Sequence, residues 1–294
     1  MVKIVCWNIN RSADACTELR KMDVDVALLQ EVGKGAAQRM ADILGEAETW
    51  DWERSSVWPA VVRLSDRVKV DVFTPVPTEG GGIKRNTIAV SDRRTLAAAR
   101  VTPLGAKRTG RAFLVFSLYA RWLDTHPQAQ HSTSRKGGRP FSIYSDGSAH
   151  RAISDLSAFI GHTNPSAHRM LVAGDLNTIY GAADNNRLEK PARARNIFDR
   201  MQALGFEFVG PQWPNADRQA DPRPQGLPKD TRNVPTWLSP RQRRRMRDEG
   251  ILSGNQLDYV FASRGFHAKV QVRAMNDVGG FGLSDHCQMQ IEVE

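Results

Sequence analysis

Met170-Leu-Val-Ala-Gly-Asp-Leu-Asn177 runs from a buried strand into polar chemistry within a few residues. Met170 to Ala173 are apolar and of strand length, and Gly174 interrupts them just before a carboxylate and an amide arrive together. A polar side chain at the end of a buried strand projects from a rigid base into any cleft the sheet borders, where it can be held to small tolerances. The same arrangement recurs. Trp7-Asn8-Ile9-Asn10 follows a strand-like start built from the β-formers Val2, Ile4, Val5 and Trp7, and Leu29-Gln30-Glu31-Val32 closes the apolar run 24–29. Ser284-Asp285-His286 precedes a segment in which Cys287, Met289, Ile291 and Val293 alternate with Gln288, Gln290, Glu292 and Glu294, as in a half-buried strand. Gln256-Leu257-Asp258-Tyr259 opens the strand-like run 257–262 on an acid.

Working outward, Ala15, Leu19 and Met22 fall at helical spacing behind a possible N-cap at Ser12, so the chain starts β-α-β. Residues 57–62, 68–73, 87–90 and 96–101 are short β-rich runs broken by Pro and Gly, the pattern of a meander, with Gly80-Gly81-Gly82 as a hairpin tip. A strong strand is expected over 112–119, a helix over 150–162 with Ile153, Leu156, Phe159 and Ile160 on one face, and another helix carrying Ile197, Met201 and Leu204. A further strand is expected over 267–272. The polar stretch 124–148 reads as a long loop. Seven of the fifteen prolines lie from Pro211 to Pro240, which argues against regular helix or central sheet there, and a second long loop is expected over about 211–247. Length alone would allow two domains. Because the polar strand ends come from both ends of the chain, one domain over 1–294 is expected.

With 40% hydrophobic and 25% charged residues and a mean hydropathy of −0.45, the chain is neither disordered nor fibrous in composition. Its 41 Lys and Arg against 32 Asp and Glu give a net charge of +9, which favours polyanions: nucleic acid, anionic lipid or phosphorylated metabolites. The apolar stretch from Ala112 to Ala120 is much shorter than the roughly 20 residues a membrane-spanning helix needs, so no membrane span is expected. Met1 to Asn8 lacks a signal-peptide pattern, and Cys6, Cys16 and Cys287 make neither a disulfide framework nor a C-x-x-C pair. A reducing, cytoplasmic or otherwise intracellular setting is therefore expected, and nothing in the sequence demands more than a monomer.

Bringing Glu31, Asp175, Asp258 and Asp285 together would be strongly repulsive without a cation or shared protons. With oxygen ligands and no Cys or His cluster, the expected cation is hard: Mg²⁺, with Mn²⁺ as a substitute.

Taken in chain order between Val2 and Val293, these five segments resemble the endonuclease/exonuclease/phosphatase superfamily. The resemblance implies an α/β fold, a four-layer α/β sandwich with two central mixed β-sheets flanked by helices, and a metal-dependent phosphodiesterase. It implies that Glu31 binds Mg²⁺ with Asn8 and Asp285 completing or supporting that site, and that Asp175 aligns and deprotonates the attacking water. Asn177 would help hold that water and the phosphate. His286 would donate to a phosphate oxygen while Asp258 orients its ring, Tyr119 would contact the phosphate, and Asn10 would reach a metal-bound water or the phosphate. In-line attack on a phosphodiester needs an activated water, charge neutralisation and help for the leaving alkoxide, and each need has a candidate.

Several features bear on the substrate. His150-Arg151 opens a helix whose N-terminus could meet a phosphate, and Trp237 could stack on a base or sugar or cover the core. Arg241 to Arg247 holds five arginines, among them Arg243, Arg244 and Arg245, which could track phosphates. From Asp217 to Arg247 there are nine Lys and Arg against three Asp, so the positive surplus is concentrated there. The leading expectation is a nuclease for DNA or RNA. The alternatives are a phosphatase or phosphodiesterase for a small phosphorylated metabolite or phosphoinositide, and a catalytically silent nucleic-acid-binding protein. Arg11 after Asn10, and Cys287-Gln288 after His286, depart from the pattern of abasic-site endonucleases.

Overall fold

The computed structural model describes residues 1–44, 57–78, 84–105, 112–121, 146–161, 164–179, 191–212 and 234–294. In chain order its elements begin with β1 (Val2–Asn8), α1 (Ala13–Leu19), β2 (Val26–Val32), α2 (Lys34–Leu44), β3 (Trp58–Arg63) and β4 (Val68–Val72). They continue with β5 (Thr74–Pro77), β6 (Thr87–Val90), β7 (Leu96–Pro103), β8 (Phe113–Tyr119), α3 (Asp146–Ile160) and β9 (Met170–Asp175). The last are α4 (Pro191–Ala203), β10 (Phe206–Gly210), α5 (Pro240–Glu249), β11 (Asp258–Ser263), β12 (Val270–Ala274) and β13 (Met289–Val293).

Side-chain alternation builds the layers. On β1, Val2, Ile4 and Cys6 point one way and Val5 and Trp7 the other; on β2, Val26 and Leu28 oppose Ala27 and Leu29. The first set meets Val101, Phe113, Val115, Leu171, Ala173, Val260 and Ala262 in a core between two sheets. The second packs against Ala15, Cys16 and Leu19 of α1 and Ala36, Ala37 and Met40 of α2. On the far side, Phe116, Leu118, Val172, Tyr259 and Phe261 face Ile153 and Leu156 of α3 and Ile197, Phe198 and Met201 of α4. The result is four layers, helices on sheet on sheet on helices, the α/β sandwich expected.

One sheet runs β12-β13-β1-β2-β3 and the other β10-β11-β9-β8-β7-β4, with β5 and β6 as a separate pair. The pairs β1–β2 and β8–β9 are parallel, whereas β13 is antiparallel to β1 and β11 to β9, so both large sheets are mixed.

The sequence identified strands more reliably than their partners. The expected meander is split between sheets: β3 pairs with β2, and β4 pairs with β7 in the other sheet. The expected hairpin tip at residues 80–82 lies outside the described residues, and β5 and β6 pair in parallel. The expected strand 267–272 is a short 3-10 turn followed by β12. The expected long loop 211–247 ends in helix α5, started by a capping box in which Ser239 and Gln242 satisfy each other's backbone N–H and by Pro240 at the first position, where a missing N–H costs nothing. Most of that loop, and most of the expected loop 124–148, lies outside the described residues. Cys6, Cys16 and Cys287 are free and buried, and among the described residues no helix is long and apolar enough to cross a membrane.

Candidate active site

The alternation that fills the inter-sheet core also places polar side chains at one end of it. Asn8 continues the row Val2-Ile4-Cys6, Ser117 and Tyr119 continue Phe113-Val115, Asp175 continues Leu171-Ala173, and Asp258 precedes Val260-Ala262. All lie at the same end, because β1, β2, β8 and β9 finish there and antiparallel β11 begins there, with Asp258 opposite Asp175 and Asp175 opposite Tyr119. By simple alternation Glu31 would follow Ala27 and Leu29 toward the helices. A bulge between Leu29 and Val32 and a left-handed backbone at Glu31, φ 52°, turn its carboxylate toward the mouth instead. Asn10, Arg11 and Asn177 share that left-handed conformation, so the described non-glycine residues with positive φ all lie in these segments or directly beside them.

Asn8 is fully buried and its amide links two carboxylates, donating to Glu31 Oε1 at 3.1 Å and Asp175 Oδ2 at 3.0 Å. Tyr119 donates its hydroxyl to the same Glu31 oxygen at 3.0 Å. Asp175 also accepts the Asn177 backbone N–H at 2.7 Å and its amide at 3.0 Å, and that amide donates to Ala120 O at 2.7 Å. His286 Nδ1 lies 2.8 Å from Asp258 Oδ2; a carboxylate only accepts, so Nδ1 carries the proton and Nε2 faces Asp175 Oδ2 at 3.8 Å. Asp285 accepts from Asn10 Nδ2 at 3.0 Å and from the Trp237 indole at 3.1 Å.

Burial by itself would depress the His286 pKa, but the charges of Asp258 and Asp175 and the hydrogen bond to Asp258 outweigh it and raise it to about 10. The imidazole is therefore cationic at neutral pH. Burial raises the proton affinity of Asp175, opposed by cationic His286 and reinforced by the negative charge of Asp258 and Glu31. Burial and then the same carboxylates, Glu31 and Asp175, push the Tyr119 hydroxyl up, so it remains protonated.

The donor set fits a hard cation. Among the described residues no three His, Cys, Asp or Glu side chains converge as a closed cage. Mg²⁺, however, is ordinarily held through one or two carboxylates, with water and substrate phosphates completing its shell. Half-buried Glu31, with Asn8 beside it and Asp285 across the Asn10 amide, meets that requirement.

The remaining expected site residues are placed as follows among the described residues. Helix α3 begins at Asp146, so His150 is a full turn inside it, and Arg200 of α4 binds its carbonyl at 3.0 Å and contacts Nδ1 at 2.8 Å. Among the described residues His150 contacts Arg200 and Arg151 is exposed, and the expected helix N-terminus there is displaced by a turn. Arg243 is tied to Phe281 O at 3.0 Å and Arg245 to Glu249 at 3.3 Å, whereas Arg244 is exposed. Trp237 packs on Ile179 and Leu257 with its indole N–H on Asp285, so it covers the core and braces an acid at once.

Three supporting residues lacked assigned roles in the sequence. Thr236 Oγ1 receives the N–H groups of Leu257 and Asp258 at 3.0 and 3.1 Å, and Ser284 Oγ donates to Asn8 O at 2.7 Å while receiving the His286 N–H at 3.2 Å. Gln30 donates to Ser117 Oγ at 2.8 Å across the sheets. Gln30 and Ser284 stood inside the quoted segments, so adjacency to a chemical group could have marked them; Thr236, in a proline-rich run, carried no periodic signal.

Residues 5–286 match the sequence profile of the endonuclease/exonuclease/phosphatase family. No curated protein matches the chain in sequence. Among solved structures, the fold is similar to an AP endonuclease from Archaeoglobus fulgidus, with a TM-score of 0.60, 16% identity and complete coverage of both chains. It is also similar to the 3'-5' exonuclease NExo from Neisseria meningitidis, with a TM-score of 0.58, 18% identity and complete coverage of both. The AP endonuclease LMAP from Leishmania major gives a TM-score of 0.59 at 18% identity, over 100% of this chain and 88% of that one. With five polar segments gathered at one end of a two-sheet core and a profile match over nearly the whole length, this chain belongs to the endonuclease/exonuclease/phosphatase family.

Proposed function

We propose that the chain is a divalent-metal-dependent phosphodiesterase acting as one catalytic domain, and within that class a nuclease hydrolysing DNA or RNA. The reading rests above all on the Asn8 amide, which donates to Glu31 and Asp175 at once while the His286 imidazole stands beside Asp175. A half-buried carboxylate, a buried carboxylate of raised proton affinity and a cationic imidazole are thereby side by side.

Asp175 accepts the proton of the attacking water, a task that suits a carboxylate held above its ordinary pKa. The Asn177 amide is occupied by Asp175 and Ala120 O, so its part is to aim Asp175. His286 donates from Nε2 to a phosphate oxygen while Asp258 fixes the ring and its charge. Tyr119, through Glu31, and Asn10, through Asp285, hold the two outer carboxylates in place. Mg²⁺ or Mn²⁺, held by Glu31 with Asn8 and Asp285 beside it, would supply charge neutralisation on the phosphate. The net charge of +9 and the structural likeness to proteins named as AP endonucleases and an exonuclease favour nucleic acid over a small phosphate ester.

The test is a substrate panel of plasmid, linear duplex, single-stranded DNA, RNA and inositol phosphates, each with Mg²⁺, Mn²⁺ or EDTA. Nucleic acid should be cleaved with Mg²⁺ and spared in EDTA, and Asp175→Asn and His286→Gln should each lower kcat by about 10²–10⁴-fold. Cleavage that survives both substitutions would refute the mechanism. Turnover of inositol phosphates alone would replace the nuclease reading with a phosphatase, and nucleic-acid binding without any turnover would leave a silent binding protein.

A further inference from the structure

The turn that leaves β1 carries an arginine where a glycine would sit most easily. Ser12 N–H donates to Ile9 O at 2.8 Å, and the residues between them, Asn10 and Arg11, have φ 43° and 63°. Successive positive φ values mark a type I′ turn, which favours Asn first and Gly second. Asn10 obeys that rule and Arg11 breaks it, so the turn carries strain for the sake of a side chain it does not need. The surroundings of that side chain suggest its use. Its stem lies over Gly33, where a Cβ would stand 3.2 Å from Arg11 Cβ and 3.3 Å from Cγ, and its backbone N–H donates to Glu31 O at 2.9 Å. Arg11 is nonetheless exposed, and among the described residues its guanidinium makes no hydrogen bond or ion pair.

Acids are close by in the chain's own hydrogen bonding. Arg11 is joined through its backbone to Glu31, and its neighbour Asn10 donates to the Asp285 carboxylate. Both carboxylates are instead bonded by neutral donors: Asn8 and Tyr119 on Glu31, Asn10 and Trp237 on Asp285. A fixed arginine left uncompensated by its neighbours, beside half-buried Glu31, is a receptor for an anion, and its planar fork suits two oxygens of a phosphate. The phosphate under attack is served by His286. We propose that Arg11 binds a second phosphate of the substrate, next to the one under attack, so that the site prefers a chain of phosphodiesters to an isolated one. The proposal rests on the nuclease reading and narrows it: recognition of a neighbouring phosphate separates a polynucleotide from a simple diester without reading any base.

Binding of a single-stranded oligonucleotide is measured by anisotropy in EDTA across a salt series, for wild type, Arg11→Gly, Arg11→Gln and Arg11→Lys. Arg11→Gly and Arg11→Gln should each weaken binding by about tenfold, the loss of one charged hydrogen-bonding group. Both should reduce the salt slope by about 0.7, the share of one phosphate contact on a single strand, while Arg11→Lys keeps it. Stability should not follow binding: Arg11→Gly relieves the turn and melts no lower than wild type. Wild-type affinity and slope in Arg11→Gly and Arg11→Gln, or a binding loss in Arg11→Gly matched by a lower melting temperature, would overturn the assignment. Tighter binding of inositol hexakisphosphate than of the oligonucleotide, lost in Arg11→Gly, would move the second phosphate to a small ester and overturn it too. Hydrolysis of bis(p-nitrophenyl) phosphate by wild type with Mg²⁺ keeps the two readings apart. If it proceeds while Arg11→Gly binds like wild type, only the Arg11 assignment falls; if no diester and no nucleic acid is hydrolysed, the phosphodiesterase reading falls.

Discussion

Asp258 and His286 are both almost fully buried, so their 2.8 Å contact is an ion pair with little solvent to screen it. Removing the charge with Asp258→Asn leaves the imidazole without its principal counter-ion and should cost about 3–5 kcal/mol near pH 6.5. The pH dependence has a definite sign. The His286 pKa is about 10 in the folded protein against 6.5 for the ordinary group, so its stabilising contribution is complete below pH 6.5 and lost as pH rises through 10. Urea unfolding of wild type and Asp258→Asn should therefore show a gap that narrows steadily from pH 6.5 to pH 10. A gap independent of pH would mean that the pair does not hold the proton. At this scale the sequence was most legible where chemistry is adjacent along the chain: Glu31, Asp175, Asp258, Asp285 and His286 were all named from strand ends, and all meet. The helix start expected at His150 lies a turn earlier, at Asp146, because a helix start is marked only by weak local signals, and Arg200 on another helix contacts that histidine. The difference between Arg243 and Arg244 was invisible for a related reason, since five arginines within seven positions do not reveal which one faces the 278–282 turn.

Strand β9 shows how an element constrains the site. Gly174 has φ 152°, and a Cβ there would lie 1.9 Å from Leu118 O on the paired strand β8. The backbone must approach this closely for Tyr119 to register with Asp175. Gly174→Ala should push β9 away from β8, destabilise the fold by more than about 4 kcal/mol and abolish activity. Thermal melting should reveal the loss directly, and an unchanged melting temperature would show that the two strands can part without consequence. Apolar runs with alternation identified β1, β2, β8, β9, β11 and β13 because each is buried on at least one face. The short strands β5 and β10 and helix α2 lacked that signal: Thr74–Pro77 contains two prolines, Phe206–Gly210 is an edge strand with a register shift, and α2 mixes glycine, alanine and charges. Helix α5 escaped notice because prolines surround it, although its Ser-Pro-Arg-Gln start carries a capping box.

Across the whole molecule, the apolar contacts between the sheets end in a row of cross-sheet hydrogen bonds: Asn8 to Asp175, Tyr119 to Glu31, Gln30 to Ser117, and His286 to Asp258. Leu28, fully buried between the sheets, contributes its apolar side chain to that packing, while its backbone carbonyl accepts from Gln30 Nε2 at 3.3 Å, a bond that a change of side chain leaves in place. Leu28→Ala should lower stability by about 2–5 kcal/mol through lost burial and the cavity left behind, as measured by chemical denaturation. A loss below about 1 kcal/mol would show that the two sheets close over the gap. Strand partnership between the sheets was the least legible level, because alternation fixes which face of a strand is buried but not which of two apolar faces it meets. Glu31, Asn8 and His286 are carried by the sheet made from the two ends of the chain, and Tyr119, Asp175 and Asp258 by the sheet made from its middle. Neither sheet holds a complete set of reactive groups. Catalysis is thus a gauge of docking: in mild denaturant at constant pH, where secondary structure can outlast tertiary packing, turnover will disappear with the near-ultraviolet signal of the packed core while the far-ultraviolet signal of the strands is still intact.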